Sequence, residues 1–297
     1  MTLPLPSISL VTVNRDYAQY LAATLDSVLD QQYPFLEYIV LDGGSTDGSV
    51  DLIRARADRL AHWSSGPDAG QVHALNAGLR RCTGDIVGWL NSDDLHLPHT
   101  LATIGRHFAE NPSTDWICAP CETIDAQSCP IGLTPVSPDR SPVAFAEGLF
   151  FPQPSTFWRR RLHDSVGWLD PRLTLTFDQE FWTRLALAGA RLEVLSTPLS
   201  QERLHDARKT ANPGMQIVHE RIYIAARHLA AFPAAPAARL RSVIRTHERR
   251  LLRSAYPDHS PTLAAWLDLV CRHPDLLRDR ATWGLLARQL KHRKTGG

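Results

Sequence analysis

No run of about eighteen apolar residues occurs anywhere in these 297 residues, so no membrane-spanning helix is expected. A basic n-region followed by an apolar h-region is missing from the N-terminus, and no secretory leader is expected. Cysteine is sparse and odd in number: Cys82, Cys118, Cys121, Cys129 and Cys271 lack framework spacing, which suits a reducing, cytoplasmic compartment better than a disulfide scaffold. Lysine is absent before Lys209, so positive charge rests almost wholly on arginine. Charge of one sign is not in excess either: the formal net charge is +1, which leaves no global field to attract nucleic acid or an acidic partner. What remains is the composition of a soluble globular protein, 43% apolar and 21% charged, long enough for one large domain or a domain plus an appendage.

The stretch Asn91-Ser92-Asp93-Asp94 organises the reading. Asp85-Ile86-Val87-Gly88-Trp89-Leu90 before it is short, mostly apolar and β-branched at its centre, which predicts a buried strand. After Pro98, Leu101, Ile104 and Phe108 recur at helical spacing. The four polar residues therefore fall at the carboxyl end of a strand, where open α/β sheets bind ligands. Two adjacent acids in a tight loop repel each other unless a cation sits there, and hard oxygen donors suit Mg²⁺ or Mn²⁺. The alternative is that Asp93 and Asp94 cap the next helix.

Ile8 to Val13 reads as a first buried strand. Tyr20, Leu21, Leu25, Val28 and Leu29 predict a helix to about Gln32. Tyr38 to Leu41 reads as a second strand, closed by Asp42-Gly43-Gly44-Ser45-Thr46-Asp47-Gly48, where Ser45 or Thr46 can cap the helix that follows. The glycines of this loop do not make a dinucleotide fingerprint, and the loop follows the second strand rather than the first. Asp42 either hydrogen-bonds a base or ribose, or only forms the turn. Residues 63–70 read as a breaker-rich loop, and Gln71 to Arg81 as a helix with Val72, Leu75 and Leu79 on one face. Cys118-x-x-Cys121 with Cys129 invites a zinc reading, but a fourth ligand at suitable spacing is missing and Ile117 to Ile124 alternates like a strand. Residues 130–155 hold six prolines and read as irregular surface chain on the substrate side. Ser155 to Trp158 resumes strand character. A helix opening at Phe177-Asp178 would turn Phe181, Leu185 and Ala188 inward, and Leu192 to Leu195 would be the last strand. Strand and helix alternate throughout, so a mostly parallel sheet with right-handed crossovers is the economical topology.

From about residue 212 the apolar spacing becomes purely helical. Val218, Ile222, Ala225, Leu229 and Phe232 form one set and Leu240, Val243, Ile244, His247 and Leu251 a second. Sets around Trp266 and Trp283 would make three or four helices in all. These are Arg-rich on their polar faces, suiting either a small bundle packed on the main domain or docking to a partner or an anionic membrane surface.

Thr12-Val13-Asn14, Val40 to Ser49, Gly66 to Gln71 with Asn76 and Gly78, Gly84 to Asp94, Phe177 to Trp182 and Arg203-Leu204-His205 occur in one order. Together they closely resemble the family 2 glycosyltransferases, inverting enzymes of the GT-A fold, over about residues 7–210. The resemblance implies a GT-A α/β domain over 1–211 with a mostly parallel central sheet flanked by helices, and a helical appendage over 212–297. It implies a nucleotide pocket from Thr12, Val13, Asn14, Asp42, Asp68, Asn76, Asn91 and Ser92, with Asp42 on the base. The family's Asp-x-Asp element maps to Asn91-Ser92-Asp93, so Asn stands where the first Asp is expected. Asp93 would then ligate Mn²⁺ or Mg²⁺, with His205 completing the metal shell, Arg203 or Lys209 on a phosphate, and Asp178 as general base. The implied partners are a nucleotide-sugar donor, with a UDP-sugar favoured, and a glycan or lipid-linked acceptor of surface polysaccharide or glycoconjugate assembly. No nucleic acid is implied, and homo-oligomerisation is left open. A sugar nucleotidyltransferase would carry a Gly-rich loop with Arg and Lys after the first strand, which Thr12 to Asp16 lacks. A non-catalytic nucleotide-sugar-binding module is the remaining alternative, supported by Asn91 and opposed by Asp93 and Asp178.

Overall fold

A computed structural model describes residues 3–211 and 214–255. They form two compact units, one ending at Asn212 and one beginning at Pro213.

In the first unit, in chain order, lie β1 (Ile8–Asn14), α1 (Ala18–Leu29), β2 (Leu36–Asp42), α2 (Ser49–Arg54), β3 (His62–Ser65), α3 (Gln71–Arg81), β4 (Ile86–Trp89) and β5 (Leu95–His96). They are followed by α4 (Thr100–Glu110), β6 (Trp116–Cys118), β7 (Cys121–Ile124), β8 (Pro130–Thr134), α5 (Pro142–Glu147), β9 (Thr156–Arg159), α6 (Leu162–Val166), α7 (Phe177–Leu187), β10 (Leu192–Val194) and β11 (Ser200–Arg203).

β1 is buried along its whole length, as a near-continuous apolar run should be when helices cover both faces of a parallel sheet. It pairs in parallel with β2 and β4 at the centre of a seven-stranded sheet of order β10-β6-β9-β4-β1-β2-β3. β9 runs antiparallel between β4 and β6, so the sheet is mixed. A second sheet of order β5-β11-β7-β8 holds the 91–94 loop from the side. On one face of the large sheet Leu10, Val40, Leu21, Leu25, Leu101 and Phe108 share one apolar cluster. On the other, Trp182 of α7 stacks on Trp89 at 5.6 Å and on Trp116 at 5.5 Å. That indole layer presses the start of α7 over the end of β4.

Several expectations need correction. α1 stops at Leu29 rather than Gln32, with Asp30 as C-cap and Gln32 at φ 48°. Ser45 and Thr46 do not cap α2; Gly48 holds the N-cap position, and Asp47 accepts from Ser49 N. Part of the breaker-rich 63–70 stretch is strand β3, added as the edge beside β2. The strand expected from Ile117 to Ile124 breaks at Ala119-Pro120 into β6 and β7, which belong to different sheets. The Pro-rich 130–155 segment is ordered. Pro130 opens edge strand β8, and Pro142 occupies the first helical position of α5 behind a Ser141 cap. Proline loses nothing at either place, because no N–H is needed there. α5 buries Val143, Ala144, Phe145 and Ala146. Ala188 is exposed as the C-cap of α7, and β11 follows the strand expected to be last.

In the second unit, α8 (Gln216–His228) and α9 (Ala234–Ala255) pack on each other and bury Val218, Ile224, Ala225, Leu240 and Ile244 among others. Pro236 sits in the first turn of α9, where it is tolerated. The helices expected around Trp266 and Trp283 lie outside the described residues. No helix of the described residues is long and apolar enough to cross a membrane.

Candidate functional site

Parallel pairing sets Asn14, the last residue of β1, opposite Asp42, the last of β2. Asn14 Nδ2 donates to Asp42 Oδ1 at 2.8 Å and to Ser45 Oγ at 3.2 Å. Asp42 also accepts from the backbone N–H groups of Gly44 and Ser45 and from Ser65 Oγ of β3. Burial pushes its pKa up, but hydrogen bonds from Ser45, Ser65 and Asn14 outweigh it and hold the carboxyl below its ordinary value. Gly44, at φ 79°, turns the chain beneath Pro67, so the 42–48 and 64–70 loops pack together. Asp68 is exposed on that second loop and accepts from Gly70 N. Thr12 and Val13 are buried in β1, and the Thr12 hydroxyl is bonded to that of Tyr38, so this strand offers its end rather than those side chains.

The 91–94 loop follows β4, next to β1. Asn91 lies at the centre of a chain of amides. Lys209 Nζ donates to Gln71 Oε1 at 2.9 Å, Gln71 Nε2 to Asn91 Oδ1 at 3.2 Å, and Asn91 Nδ2 to Gln153 Oε1 at 3.1 Å. Gln153 Nε2 closes it on the Trp89 carbonyl at 2.7 Å. Asn91 also donates to Asp94 Oδ2 at 3.1 Å. Asp94 does not cap α4, nor does Asp93, because that helix starts at Thr100 behind His99. Its side chain instead turns inward, where Oδ1 accepts from Arg203 N at 3.0 Å. Burial, then the charges of Asp93 and Glu202, raise the Asp94 pKa well above the usual carboxylate range. Thr24 Oγ1 of α1 fixes the loop by donating to the Ser92 and Asp94 carbonyls at 2.9 Å.

Asp93 is the loop's outward acid. Its Oδ2 meets His205 Nε2 at 3.0 Å, and the rings of Tyr17 and Tyr20 flank the imidazole. A carboxylate oxygen and an imidazole nitrogen converging on one point, beside two more acids, fit a divalent cation that takes its other ligands from phosphate and water. Among the described residues, no group of three or more His, Cys, Asp or Glu side chains is arranged to hold a metal ion. The protein side of such a site is thus a pair, Asp93 and His205.

Arg203 and Asn76 stand apart from the pocket that the resemblance implies. Arg203 is 2% exposed, and its guanidinium donates to the carbonyls of Asp93 and Asp125 and to Ser128 Oγ. It braces the loop from behind. Asn76 donates to Leu169 O at 2.9 Å and accepts from Leu169 N at 3.0 Å, clamping the chain between α6 and α7. Asp178 is half-buried in the first turn of α7, one residue after Phe177, whose ring centre lies 6.1 Å from that of Trp89. Gln71 and Gln153 are the polar side chains at this loop that sequence reasoning missed as site residues. Gln153 lay in a segment read as irregular, although Gln flanked by prolines before an apolar strand was a signal of a fixed position.

Residues 7–125 match the family model described as Glycosyl transferase family 2. Over 104 residues the chain is 36% identical to an uncharacterized glycosyltransferase of a Nostoc species, covering 34% of this chain and 32% of that protein. Over 92 residues it is 35% identical to a putative teichuronic acid biosynthesis glycosyltransferase of Bacillus subtilis, covering 30% and 36%. These matches thus span about a third of each relative's length. A crystal structure of S. aureus TarS in complex with UDP-GlcNAc superposes with a TM-score of 0.65 at 18% identity, over 84% of this chain and 74% of that one. The mannosyltransferase of Pyrobaculum calidifontis in complex with GDP-Man and Mn²⁺ superposes with a TM-score of 0.60 at 20% identity, over 99% and 89%. The fold is of the GT-A type, and residues 7–125 carry the sequence pattern of glycosyl transferase family 2.

Proposed function

We propose that residues 1–211 form a metal-dependent, inverting glycosyltransferase domain. It moves a sugar from a nucleotide-sugar donor, a UDP-sugar by preference, to an acceptor hydroxyl. The observation that carries this reading is the meeting of two polar clusters at the carboxyl ends of adjacent parallel strands. Asn14, Asp42 and Asp68 stand at β1 and β2, and Asn91 to Asp94 with His205 stand at β4. Their separation into a base-side half and a cation-binding half suits a nucleoside and its diphosphate.

Asp93 and His205 would hold Mn²⁺ or Mg²⁺, which supplies neutralisation of the charge that develops on the departing diphosphate. Lys209, drawn to the loop through Gln71, adds a second positive charge on the same side. Asp178 takes the proton of the acceptor hydroxyl as that oxygen attacks the anomeric carbon. One displacement then inverts the configuration. The 130–155 segment shapes the acceptor side. The acceptor is a glycan or lipid-linked saccharide of surface polysaccharide assembly. The chain works in the cytoplasm, and the Arg-bearing C-terminal helices touch the inner membrane face.

A thermal-shift panel of UDP, GDP, CDP and dTDP, each with Mn²⁺ or EDTA, tests the donor site, since a ligand that binds only the folded state raises its stability. A metal-dependent shift that Asp93→Ala removes is expected. Asp178→Asn should abolish transfer while leaving the nucleotide shift intact; wild-type turnover in that variant would refute the base assignment. A non-catalytic binding module, the reading that Asn91 favours, would give the shift without transfer or donor hydrolysis in the wild type.

A further inference from the structure

The side-chain amides of Gln71, Asn91 and Gln153 run in a line at the 91–94 loop, and the chemistry of its two ends gives the line one direction. At one end stands Lys209 Nζ, which can only donate and meets Gln71 Oε1 at 2.9 Å. At the other stands the Trp89 carbonyl, which can only accept and takes Gln153 Nε2 at 2.7 Å. With both ends fixed, Gln71 must present Nε2 to position 91, and Gln153 must present Oε1. Position 91 therefore has to accept on one side and donate on the other. Asn91 does so: its Oδ1 accepts from Gln71 Nε2 at 3.2 Å, and its Nδ2 donates to Gln153 Oε1 at 3.1 Å. The same nitrogen donates to Asp94 Oδ2 at 3.1 Å.

A carboxylate has no hydrogen to give. Aspartate at position 91, the residue expected at the head of an Asp-x-Asp element, would set one oxygen against both Gln153 Oε1 and the Asp94 carboxylate. Gln153 is 9% exposed and Asp94 3%, so water cannot easily relieve the conflict. Neither acceptor is free to turn away. Gln153 is held by Trp89 O, and Asp94 Oδ1 by Arg203 N at 3.0 Å. The residue that depends on this is Asp93. Asn91 and Asp94 close the turn twice, through Nδ2 to Oδ2 and through Asp94 N to Asn91 O at 3.2 Å. Asp93 projects from that turn to His205 Nε2 at 3.0 Å. Gln71 opens α3, Gln153 precedes β9 and Lys209 follows β11, so the line ties the turn to three separate parts of the chain.

We propose that Gln71 and Gln153 are positioning residues for the Asp93–His205 cation pair, and that the direction of their line requires asparagine at position 91. This rests on the metal-dependent nucleotide-sugar reading and deepens it. Asn91 is then the residue that keeps Asp93 aimed, and not a weakened metal ligand. Changing any of the three amides to its acid brings a carboxylate to the loop, and Coulomb attraction alone would tighten Mn²⁺. Reversing one link of the line should instead weaken it, because Asp93 no longer holds its aim at His205.

The test holds at fixed concentration whichever of UDP, GDP, CDP and dTDP binds the full-length wild type most tightly. Calorimetry then reads the Mn²⁺ concentration at half-maximal binding, beside each variant's thermal midpoint without metal. Asn91→Asp and Gln153→Glu should each raise that concentration about 10- to 100-fold, the usual effect of losing a partner behind a metal ligand. Gln71 is only part-buried, so Gln71→Glu should raise it about 10-fold at an unchanged midpoint, which a merely structural role would not do. In a Gln153→Met background no acceptor opposes position 91 from that side, and Asn91→Asp should cost about 3-fold less than it does in wild type, or less still. A tightened Mn²⁺ response in Asn91→Asp overturns the proposal, as do equal costs of Asn91→Asp in the two backgrounds. Where Asn91→Asp fails to fold, Gln71→Glu decides, and a wild-type or tightened response there overturns the proposal as well. A wild type that binds none of the four nucleotides, or binds one without regard to Mn²⁺, refutes instead the reading on which the proposal rests.

Discussion

Replacing Arg203 by leucine separates a brace from a phosphate ligand. In the structure the guanidinium donates to Asp93 O at 3.0 Å, Asp125 O at 3.0 Å and Ser128 Oγ at 2.8 Å, and its Cζ lies 4.7 Å from the centre of the Tyr20 ring. The arginine is buried, and leucine would leave two part-buried carbonyls without their donor, while the exposed Ser128 hydroxyl can turn to water. Hydrogen bonds to a charged group contribute about 1.5–3 kcal/mol each, and they do not add fully. Leucine recovers part of the loss by burying apolar surface. The net destabilisation should be about 3–5 kcal/mol, the upper end if neither carbonyl finds water. With a urea m-value of about 2 kcal/mol per molar, the midpoint should fall by roughly 1.5–2.5 M. The contact from Arg203 N to Asp94 is made by backbone and survives, so the loop should loosen at Asp93 rather than unravel. Urea titration followed by circular dichroism reads the midpoint. A variant that keeps the wild-type midpoint but loses nucleotide affinity would show that the side chain faces a phosphate, and the bracing argument would fail.

Two further perturbations probe the frame of the site. Asn76→Ala should cost about 2–4 kcal/mol in the same titration, because it orphans both Leu169 N and Leu169 O in a buried place; a midpoint near that of wild type would contradict the clamp. Burial pushes His96 down from 6.5 to about 4, despite the opposing hydrogen bond between its ring and Pro154 O. The unfolded chain therefore takes up that proton first, and stability should decline as pH falls from about 6.5 to about 4, by at most about 3 kcal/mol. His96→Leu should flatten that part of the stability–pH curve, and an unchanged slope would refute the assignment.

The near-continuous apolar run from Ile8 to Val13 could be read directly, because a strand buried on both faces leaves no solvent side to alternate with. α3 was equally plain from Val72, Leu75 and Leu79 on one face. β3, β5 and β11 were not, since two to four residues carry too little periodicity and each exists only because a neighbouring strand offers a free edge. The ordered 130–155 segment was hidden by its prolines, which are judged by count in a sequence and by position in a fold.

The site divides in the same way. By itself the sequence determined that Asn14, Asp42, Asn91, Ser92, Asp93 and Asp94 fall at strand ends, because hydrophobic pattern and turn residues set where each strand stops. It placed Asp178 at a helix start for the same reason. Only the tertiary structure decided which polar atoms remain free. Two adjacent acids, Asp93 and Asp94, differ because one meets His205 and the other turns inward to Asn91 and Arg203 N. Arg203 became a brace, and Asp42 was filled by donors from three elements. Hydrogen-bond capacity is finite and is spent across the chain, 112 residues apart for Asp93 and His205, so no local pattern can record what is left over.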